Sequence, residues 1–489
     1  MKNSPLIDRE QQVRELLALA DADGAQMGLL YGRRRVGKTY LLQHAWGEDA
    51  RLFYFLAGGV TPEQNRQDLL RELDDWSERP ITPGDFPNWR TTFQTLFEHA
   101  RDDSLIVVLD EFQYLLGNSK QEHQEVTSQL NAIWDREVKK YDLDLTLILC
   151  GSEIGTMKGI GAGGPLYGRI SWRHRLGPFD YFNAARMCEG RSLRERIYIY
   201  AILGGLPEYL DALREDEELA DAVARTVLSS RGEVHFQLER LLEQEQGLRD
   251  PRKYRAVLSA VATGATTTNE IKQRAFSSGS QHRVRRILET LEELGLVRRE
   301  RNFRAGKKAA WSNRIADNAV RFWYRFVHPH RSHLQARPAR DVWEHAVKPQ
   351  LDVYTGKVFE QLISDAFRRH HDSWNFPMFV HWARWEGVTR DRRSIEIDIA
   401  AELQDQKLLT GEVKWSSSPV DLELHVEHQS KLQALANSGQ RWAHEALEPE
   451  HSHGHLYVSA AGFTEYFRQR AQEDSTIHLV DLEDIFEKS

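Results

Sequence analysis

The chain has 489 residues, of which 40% are hydrophobic and 28% charged, a composition typical of globular proteins with roughly two to four domains. Its net charge of −8 argues against a uniformly basic coat for nucleic acid but leaves room for a local basic surface. No segment approaches the roughly 18 apolar residues of a membrane span, and residues 1–10 lack the apolar region of a signal peptide. With only two cysteines, neither a disulfide framework nor a zinc cluster is available, and we expect a cytoplasmic protein.

The stretch from Gly32 to Thr39 reads GRRRVGKT and matches the pattern of phosphate-binding loops, G-x-x-x-x-G-K-[ST]. An apolar strand precedes it and a helix follows, which is the order in which backbone N–H groups and a helix N-terminus can hold phosphates. We expect Lys38 to reach the β- and γ-phosphates of ATP and the Thr39 hydroxyl to ligate Mg²⁺. The predicted nucleotide-binding residues are Gly32, Arg33, Arg34, Arg35, Val36, Gly37, Lys38, Thr39 and Tyr40.

The three arginines of this loop are not needed for holding phosphates, because Lys38 and the backbone suffice. We therefore expect Arg33, Arg34 and Arg35 to face outward, toward another domain, another subunit or DNA.

A second motif ends a buried strand about 70 residues later, where five apolar residues run into Asp110 and Glu111. Asp110 is predicted to hold the Mg²⁺ shell, mostly through water. Glu111 is predicted to polarise the water that attacks the γ-phosphate. A solvated strand end is the alternative interpretation.

A third buried strand, 145–150, ends at Gly151-Ser152, and Ser152 is the candidate sensor of the γ-phosphate or of the attacking water. The glycine-rich stretch 159–165 is predicted to be a flexible loop. Arg169, Arg173 and Arg175 follow, and we favour Arg169 as an arginine finger that acts in cis or from a neighbouring subunit. Surface arginines without a catalytic role are the alternative.

The motifs at 32–39, 109–113 (LDEFQ), 151–152 and 204–207 (GGLP) together resemble the archaeal-type ATPase family, a branch of the AAA+ and STAND-like NTPases. The resemblance covers about the first half of the chain. Ser152 is followed by Glu153, where the family pattern has a second small residue. The resemblance implies a nucleotide-controlled switch, often with slow hydrolysis, and it is compatible with a homo-oligomer.

The middle of the chain has the pattern of a winged helix: three helices over 254–294 and then a basic hairpin over 298–308. The predicted recognition helix carries Gln281, His282, Arg283, Arg285 and Arg286, a set of residues suited to phosphate contacts. We favour DNA contact here, while a winged helix that only packs against the core or a partner is the alternative. The aromatic segment 321–327 is predicted to dock between domains rather than to stack on bases.

Two strands near the C-terminus bring acidic residues and a lysine together. In 394–400 the alternation puts Glu396 and Asp398 on one face, and in 408–415 it puts Glu412 and Lys414 on one face. A polar turn between the strands predicts a hairpin, so that Asp398, Glu412 and Lys414 converge. Two carboxylates can bind Mg²⁺, and a lysine can orient or deprotonate water. Cross-strand ion pairs on a solvated face are the alternative.

This arrangement resembles the PD-(D/E)xK nuclease superfamily over about 130 residues. The resemblance implies a metal site at Asp398 and Glu412, catalytic roles for Glu360 and Lys414, and a glutamine behind the site at Gln429. The same fold also hosts binding modules, so a degenerate scaffold stays open.

The predicted fold class is α/β, with a P-loop NTPase parallel sheet and helical lid over 1–245 and a winged helix over 250–315. A linker at 316–345 and a restriction-endonuclease-like α/β domain over 346–489 complete the prediction. We expect an ATPase that couples nucleotide state to nucleic-acid binding, with DNA favoured, and to Mg²⁺-dependent cleavage. The alternatives are a STAND-like regulatory NTPase with a non-catalytic C-terminal binding module and an ATP-driven remodeller of protein partners.

Overall fold

The computed structural model describes residues 6–77, 80–101, 103–245, 248, 250–276, 280–306 and 309–487. Contacts between Cα atoms divide the chain into two compact units, one that ends at Phe179 and one that runs from Asp180 onward. Each unit is built around its own sheet. Within the described residues, no helix combines the length and apolar character that crossing a membrane requires.

The first unit contains a five-stranded parallel sheet with the order β2-β3-β4-β1-β5. All side chains of β3 and β4 are buried, as expected for strands covered on both faces. This confirms the predicted parallel sheet and the position of the Ser152 strand beside the Asp110 strand. The strands are β1 (Gln26–Tyr31), β2 (Leu52–Leu56), β3 (Leu105–Asp110), β4 (Leu145–Gly151) and β5 (Trp172–Arg175).

Helices surround this sheet, and several begin at polar caps. Ser119 forms a capping box with Glu122 at the start of α5. The side chains of Thr61 and Asn88 each accept a hydrogen bond from a backbone N–H in the first turn of α3 and α4, respectively. The helices of the first unit are α1 (Glu10–Ala20), α2 (Lys38–His44), α3 (Pro62–Trp76), α4 (Trp89–Glu98), α5 (Lys120–Ile133) and α6 (Ile154–Gly163).

Helix α6 contradicts the flexible loop predicted for 159–165, because it continues through the glycine-rich stretch as far as Gly163. Its buried residues Ile154, Met157 and Ile160 recur at helical spacing. A Cβ at Gly161 would lie 2.9 Å from the Arg173 side chain and 3.0 Å from Leu29. Gly161 therefore allows close packing of the helix against the sheet.

The second unit begins with helices, and Gly204, with φ of 68°, ends one of them at the Gly-Gly-x-Pro step. These residues were predicted to form a helical lid, and their contacts group them with the second unit. The helices are α7 (Tyr181–Arg186), α8 (Leu193–Leu203), α9 (Pro207–Asp211), α10 (Leu219–Val223) and α11 (Glu233–Arg240).

Three helices and an antiparallel hairpin follow, as predicted for a winged helix. Lys307 and Lys308 of the predicted basic turn lie outside the described residues. The elements are α12 (Pro251–Ala262), α13 (Thr268–Ala275), α14 (Gln281–Glu293), β6 (Val297–Glu300) and β7 (Ser312–Ile315).

Residues 316–345, which were predicted to be a linker, form short packed helices. Phe322, Trp323 and Phe326 are at most 3% exposed, which confirms docking over base stacking for this aromatic segment. The charged run after Pro329 forms short helices because Leu334 and Val342 bury apolar surface on one side. The helices are α15 (Asn318–Phe322), α16 (Arg331–Ala336) and α17 (Ala339–Val342), with a π-helical turn over Trp323–Val327.

The C-terminal part is an α/β domain with the sheet order β12-β11-β10-β9-β8. Strands β8, β9 and β10 are antiparallel neighbours, and β11 and β12 continue the sheet in parallel with β10. The elements are α18 (Leu351–His370), β8 (Phe379–Val388), β9 (Ser394–Leu403), β10 (Leu408–Lys414), α19 (Glu423–Asn437), α20 (Arg441–Glu445), β11 (Ser452–Ser459), α21 (Glu465–Glu473), β12 (Ile477–Val480) and α22 (Leu482–Phe486).

Candidate functional site

The phosphate-binding loop connects β1 to α2, as the sequence predicts. Gly37 has φ of 90° directly before α2 begins at Lys38. A Cβ at Gly32 would lie 2.2 Å from the carbonyl oxygen of Leu176, so only glycine fits there. The Lys38 ammonium donates to the carbonyl oxygens of Gly32 and Arg33 at 3.0 and 3.1 Å. The lysine is thus folded back against the loop that it is predicted to complete.

The predicted magnesium ligands Thr39 and Asp110 lie in contact. The Thr39 hydroxyl donates to Asp110 Oδ2 at 2.7 Å, and Asp110 is fully buried. Tyr54 of β2, which the sequence did not single out, donates to the same oxygen at 2.5 Å. Burial and then the charge of Asp110 raise the pKa of Tyr54. Hydroxyl and carboxylate oxygens grouped in this way suit Mg²⁺.

Glu111 is held by two neighbouring side chains. The Ser152 hydroxyl donates to Glu111 Oε2 at 2.6 Å, and the Gln113 amide donates to the same oxygen and to Ser152 Oγ, the latter at 3.2 Å. Glu111 has φ of 52°, in the left-handed region that costs a non-glycine residue roughly 1–2 kcal/mol. In this structure Ser152 therefore contacts the predicted catalytic glutamate, and Gln113 joins it although it was predicted only as part of the motif.

The arginines of the loop do not all face outward, and the prediction is wrong for Arg33, which is 7% exposed. Arg34 is half-buried and donates to the Tyr114 hydroxyl at 2.7 Å. Arg35 has φ of 73° and is half-buried. The tight turn between β1 and α2 packs these long side chains against the first unit itself.

Arg169, the candidate arginine finger, makes a two-point contact with Asp135, with N–O distances of 2.5 and 3.3 Å. Hydrogen bonding to Asp135 raises the pKa of Arg169 further. Arg175 lies at the end of β5 in register with Tyr31, the residue that precedes the phosphate-binding loop. The backbone therefore brings Arg175 to the loop's own end of the sheet, while Arg169 is engaged by a carboxylate.

The predicted convergence of Asp398, Glu412 and Lys414 is confirmed as geometry. The Lys414 ammonium lies 3.1 Å from Glu412 Oε2 and 3.8 Å from Asp398 Oδ2. The Val413 backbone N–H donates to Asp398 Oδ2 at 3.0 Å, which ties β10 to the β9 carboxylate. Burial lowers the pKa of Lys414, but Glu412 and Asp398 outweigh it and raise the pKa overall.

Asp398 also belongs to a group of three carboxylates with Glu360 of α18 and Glu396 of β9, whose oxygens lie within 4.8 Å of one another. Burial, with the charges of Asp398 and Glu396, raises the pKa of Glu360 to about 7. Burial, and then Glu412, raise the pKa of Asp398 to about 6. The Arg384 guanidinium lies 3.0 Å from Glu396 and 3.9 Å from Glu360. The register of β8 shifts between Ala383 and Trp385, on either side of Arg384, and such a bulge changes the direction of a side chain. No sequence motif had predicted a role for Arg384.

Both carboxylate oxygens of Glu412 have partners within the protein. The sequence had instead predicted that Glu412 pairs with Asp398 to bind a metal ion. The Lys431 ammonium lies 2.7 Å from Glu412 Oε1, and His428 Nδ1 lies 3.1 Å from the same oxygen. Burial raises the pKa of Glu412, but His428, Lys414 and Lys431 outweigh it and hold the pKa well below its usual range. His428 is fully buried, and its other nitrogen lies 3.0 Å from the Thr410 hydroxyl.

Gln429 is exposed on α19, so the prediction that it lies behind the site is wrong. The buried positions of α19 include His425, His428, Leu432 and Leu435, spaced three and four apart. That spacing is the signal that would have favoured His428 and placed residue 429 outside.

The winged helix carries two kinds of basic residue. Gln281, His282, Arg283, Arg285 and Arg286 of α14 are all exposed, as a nucleic-acid contact requires. Two arginines of the hairpin, Arg298 and Arg299, instead meet carboxylates of this chain. Arg298 contacts Glu300 at 2.6 Å, and Arg299 contacts Glu292.

Comparisons with known proteins agree with the fold of the first part of the chain. Residues 6–213 match the model of a family described as an ATPase domain predominantly from Archaea. Residues 323–430 match a family described as archaeal and bacterial proteins of unknown function.

Two kinds of relative extend over most of the chain. An uncharacterised protein of Methanocaldococcus jannaschii is 26% identical over 416 residues, which cover 84% of this chain and 87% of that protein. The structure of a Walker-type ATPase of Pyrococcus abyssi is 22% identical with a TM-score of 0.50, and the match covers 65% of this chain and 96% of that chain. The ORC2 protein of Aeropyrum pernix, solved with ADPNP and ADP, is 14% identical with a TM-score of 0.46, covering 69% and 97% of the two chains.

Proposed function

We propose that residues 6–213, which match the model of an ATPase domain predominantly from Archaea, bind and hydrolyse ATP. Their nucleotide state controls a nucleic-acid-processing site in the C-terminal domain. The observation that carries the proposal is the convergence of Glu360, Asp398 and Lys414 in the same chain as a phosphate-binding loop. DNA is the proposed nucleic acid, bound in part through the exposed basic face of α14.

In the ATPase domain, Lys38 would contact the β- and γ-phosphates of ATP, and Thr39 with Asp110 would hold the accompanying Mg²⁺. Glu111 acts as the general base for the attacking water. Ser152 and Gln113 hold Glu111 by hydrogen bonds until nucleotide binding redirects them, which accounts for a switch with slow hydrolysis. Arg169 or Arg175 supplies a cation to the γ-phosphate once it is released from its present partners.

In the C-terminal domain, the carboxylates fit a divalent cation because they are hard oxygen donors held close together. Burial and the charges of neighbouring carboxylates raise the pKa values of Glu360 and Asp398, a cost that a bound cation would relieve. Bound there by Asp398 and Glu360, Mg²⁺ would supply Lewis-acid stabilisation of charge on a phosphodiester. Lys414 keeps its proton because its pKa is raised, so it orients water or phosphate as a donor rather than acting as a base. Glu412 positions Lys414 through their 3.1 Å contact.

One observation favours a second function, a regulatory NTPase with a non-catalytic C-terminal module. Both oxygens of Glu412 are engaged by His428, Lys431 and Lys414, which leaves a weaker donor set for a metal than the predicted Asp398 and Glu412 pair. In that case the domain recognises a partner without cleaving it.

The test incubates the full chain with Mg²⁺ and ATP on supercoiled plasmid and on circular single-stranded DNA, next to Asp398→Ala. The matched control is Glu427→Ala, which removes an exposed carboxylate of α19. Cleavage by the wild type and by the control, lost in Asp398→Ala, is the expected result. Equal behaviour of wild type and Asp398→Ala on both substrates would reject the nuclease and leave the regulatory function.

A further inference from the structure

The wing, defined as residues 297–306 and 309–315, is fastened to the C-terminal domain rather than projecting freely. Phe303 is 1% exposed and shares a hydrophobic core with Trp385, Ile395 and Trp442. Its backbone N–H donates to the Arg384 carbonyl at 2.9 Å. Moving the wing away would expose a phenylalanine and leave buried backbone groups unpaired, so the wing is a fixed part of this domain.

Polar contacts repeat this attachment on both sides of Phe303. The Asn302 amide donates to the Glu386 carbonyl at 2.6 Å and accepts from the Glu386 backbone N–H at 3.2 Å. Arg304 contacts Glu445 at 2.6 Å and Glu402 at 3.3 Å. The wing is therefore not available to enter a DNA groove as a separate hairpin.

A cavity of about 390 Å³ opens between the wing and the carboxylates Glu360 and Asp398. This volume lies in the range of pockets for small ligands, roughly 300–1,000 Å³, and suits one nucleotide. Although the chain is acidic, the cavity is lined by more arginines than carboxylates. The arginines are Arg298, Arg299, Arg301, Arg314 and Arg384.

Arg301 differs from the other four arginines of the cavity. Each of the others contacts a carboxylate. Arg298 and Arg314 contact Glu300. Arg299 contacts Glu292, and Arg384 contacts Glu396. Over the part of the chain that the structure describes, no carboxylate lies within ion-pair distance of Arg301. Its Nε is buried without a hydrogen-bond partner, and its guanidinium lies 4.0 Å from the ring centre of Trp311. Arg301 is the cation that an anionic ligand of the cavity can pair with.

Aromatic rings complete the cavity, since Trp311, Trp382 and His381 line it as well. Any of the bases can stack on an aromatic side chain, provided that the base is unpaired. In a duplex the bases are stacked inside the helix, where a nucleotide-sized cavity cannot take them without unpairing.

We propose that this cavity binds one unpaired nucleotide of a single-stranded nucleic acid, with its phosphate on Arg301 and its base on the aromatic wall. The wing thereby makes the C-terminal site specific for single strands or strand ends. This inference rests on the proposed function in that the bound phosphate lies beside Glu360 and Asp398.

The test measures fluorescence anisotropy of a labelled oligonucleotide with the full chain in EDTA, which separates binding from cleavage. The oligonucleotide is used as single-stranded DNA, as single-stranded RNA and as a blunt duplex. We expect Arg301→Gln and Trp311→Ala each to weaken single-strand binding by about tenfold. Arg301→Lys recovers most of the loss because it keeps the charge, which a purely structural role would not predict.

The control is Arg283→Gln on the exposed face of α14, which should weaken duplex binding while Arg301→Gln changes duplex binding less than about twofold. Unchanged single-strand affinity in Arg301→Gln and Trp311→Ala, or an equal loss of duplex affinity, overturns the inference. If no DNA is cleaved but single-strand binding depends on Arg301, the nuclease proposal fails and the cavity inference stands. Cleavage that requires Asp398 yet proceeds equally on duplex and without Arg301 overturns the inference alone.

Discussion

The two carboxylate sites of this chain are held by different kinds of partner. In the first unit, Asp110 and Glu111 accept hydrogen bonds from neutral hydroxyl, amide and backbone N–H groups. In the second unit, Glu412 is held by the ammonium groups of Lys414 and Lys431 in a buried setting. A neutral donor can be exchanged for a cation without leaving a charge unpaired, whereas displacing a lysine from a buried carboxylate separates charges. The first site is thus built for exchange and the second for a fixed arrangement.

The largest expected effect is on the rate of ATP hydrolysis when Glu111 of the first unit is changed. Glu111→Gln should retain ATP binding and lower the hydrolysis rate by about 10²–10⁴, because the amide cannot accept a proton from water. Steady-state phosphate release measures the rate, and fluorescent-nucleotide titration measures the binding. Glu125→Gln, an exposed change on α5, is the control. Normal turnover by Glu111→Gln would remove Glu111 from the mechanism.

The Glu412 site should lose stability when one of its ammonium partners is removed. Lys431→Met should lower the free energy of unfolding by about 1–3 kcal/mol, because Glu412 is 1% exposed and loses a charged partner. Urea unfolding followed by tryptophan fluorescence measures the difference.

Lys348→Met is the matched control, since Lys348 contacts Glu344 at 2.8 Å on the surface, where such a pair contributes about 0–1 kcal/mol. Equal losses of unfolding free energy in Lys431→Met and Lys348→Met would mean that Lys431 does not stabilise the buried Glu412 carboxylate.

Burial at the second site also predicts a pH dependence. The pKa of Glu360 is raised to about 7, so the folded chain binds this proton more tightly than the unfolded chain does. Without divalent cation, stability should therefore fall as pH rises from about 5 to about 7, by roughly 1–3 kcal/mol. Glu360→Gln should flatten this slope, measured as melting temperature against pH in EDTA, and Glu427→Gln should not. A slope that persists in Glu360→Gln would locate the titrating group elsewhere.

The smallest effect is expected at the loop arginine that contacts Tyr114. Arg34→Ala and Tyr114→Phe should each lower the stability of the first unit by about 0.5–1.5 kcal/mol, the usual contribution of one hydrogen bond. ATP affinity should stay within about threefold, because Lys38 and the backbone are the groups predicted to hold the phosphates. A large loss of affinity in Arg34→Ala, measured by nucleotide titration, would make Arg34 a phosphate ligand.

Motifs whose members are close in sequence were predictable to the residue. The phosphate-binding loop, the Asp110-Glu111 strand end and the Glu412-x-Lys414 strand each depend on local geometry, a turn or an alternation of side chains, that the chain imposes by itself. Pairing of β9 with β10 followed from the polar turn between them. The match of residues 6–213 to an archaeal ATPase domain was predictable from the same local signals.

Errors arose where a side chain's position depends on packing with distant residues. Gln429 and His428 differ by one position, and helix register against the sheet decides which of them is buried. The glycine-rich stretch in α6 predicted a loop because the role of Gly161, close contact with β1 and β5, depends on residues outside the segment.

The sequence alone located the two candidate sites of the chain, because phosphate-binding loops and carboxylate–lysine strands are recognised by short spacings between residues. Tertiary structure decided the partners of those residues: Ser152 and Gln113 on Glu111, His428 and Lys431 on Glu412, and the wing beside Glu360. Apart from Gln113 and Glu111, which are 2 positions apart, these contacts join residues at least 16 positions apart. Such contacts form only when apolar surfaces such as that of Phe303 are buried together.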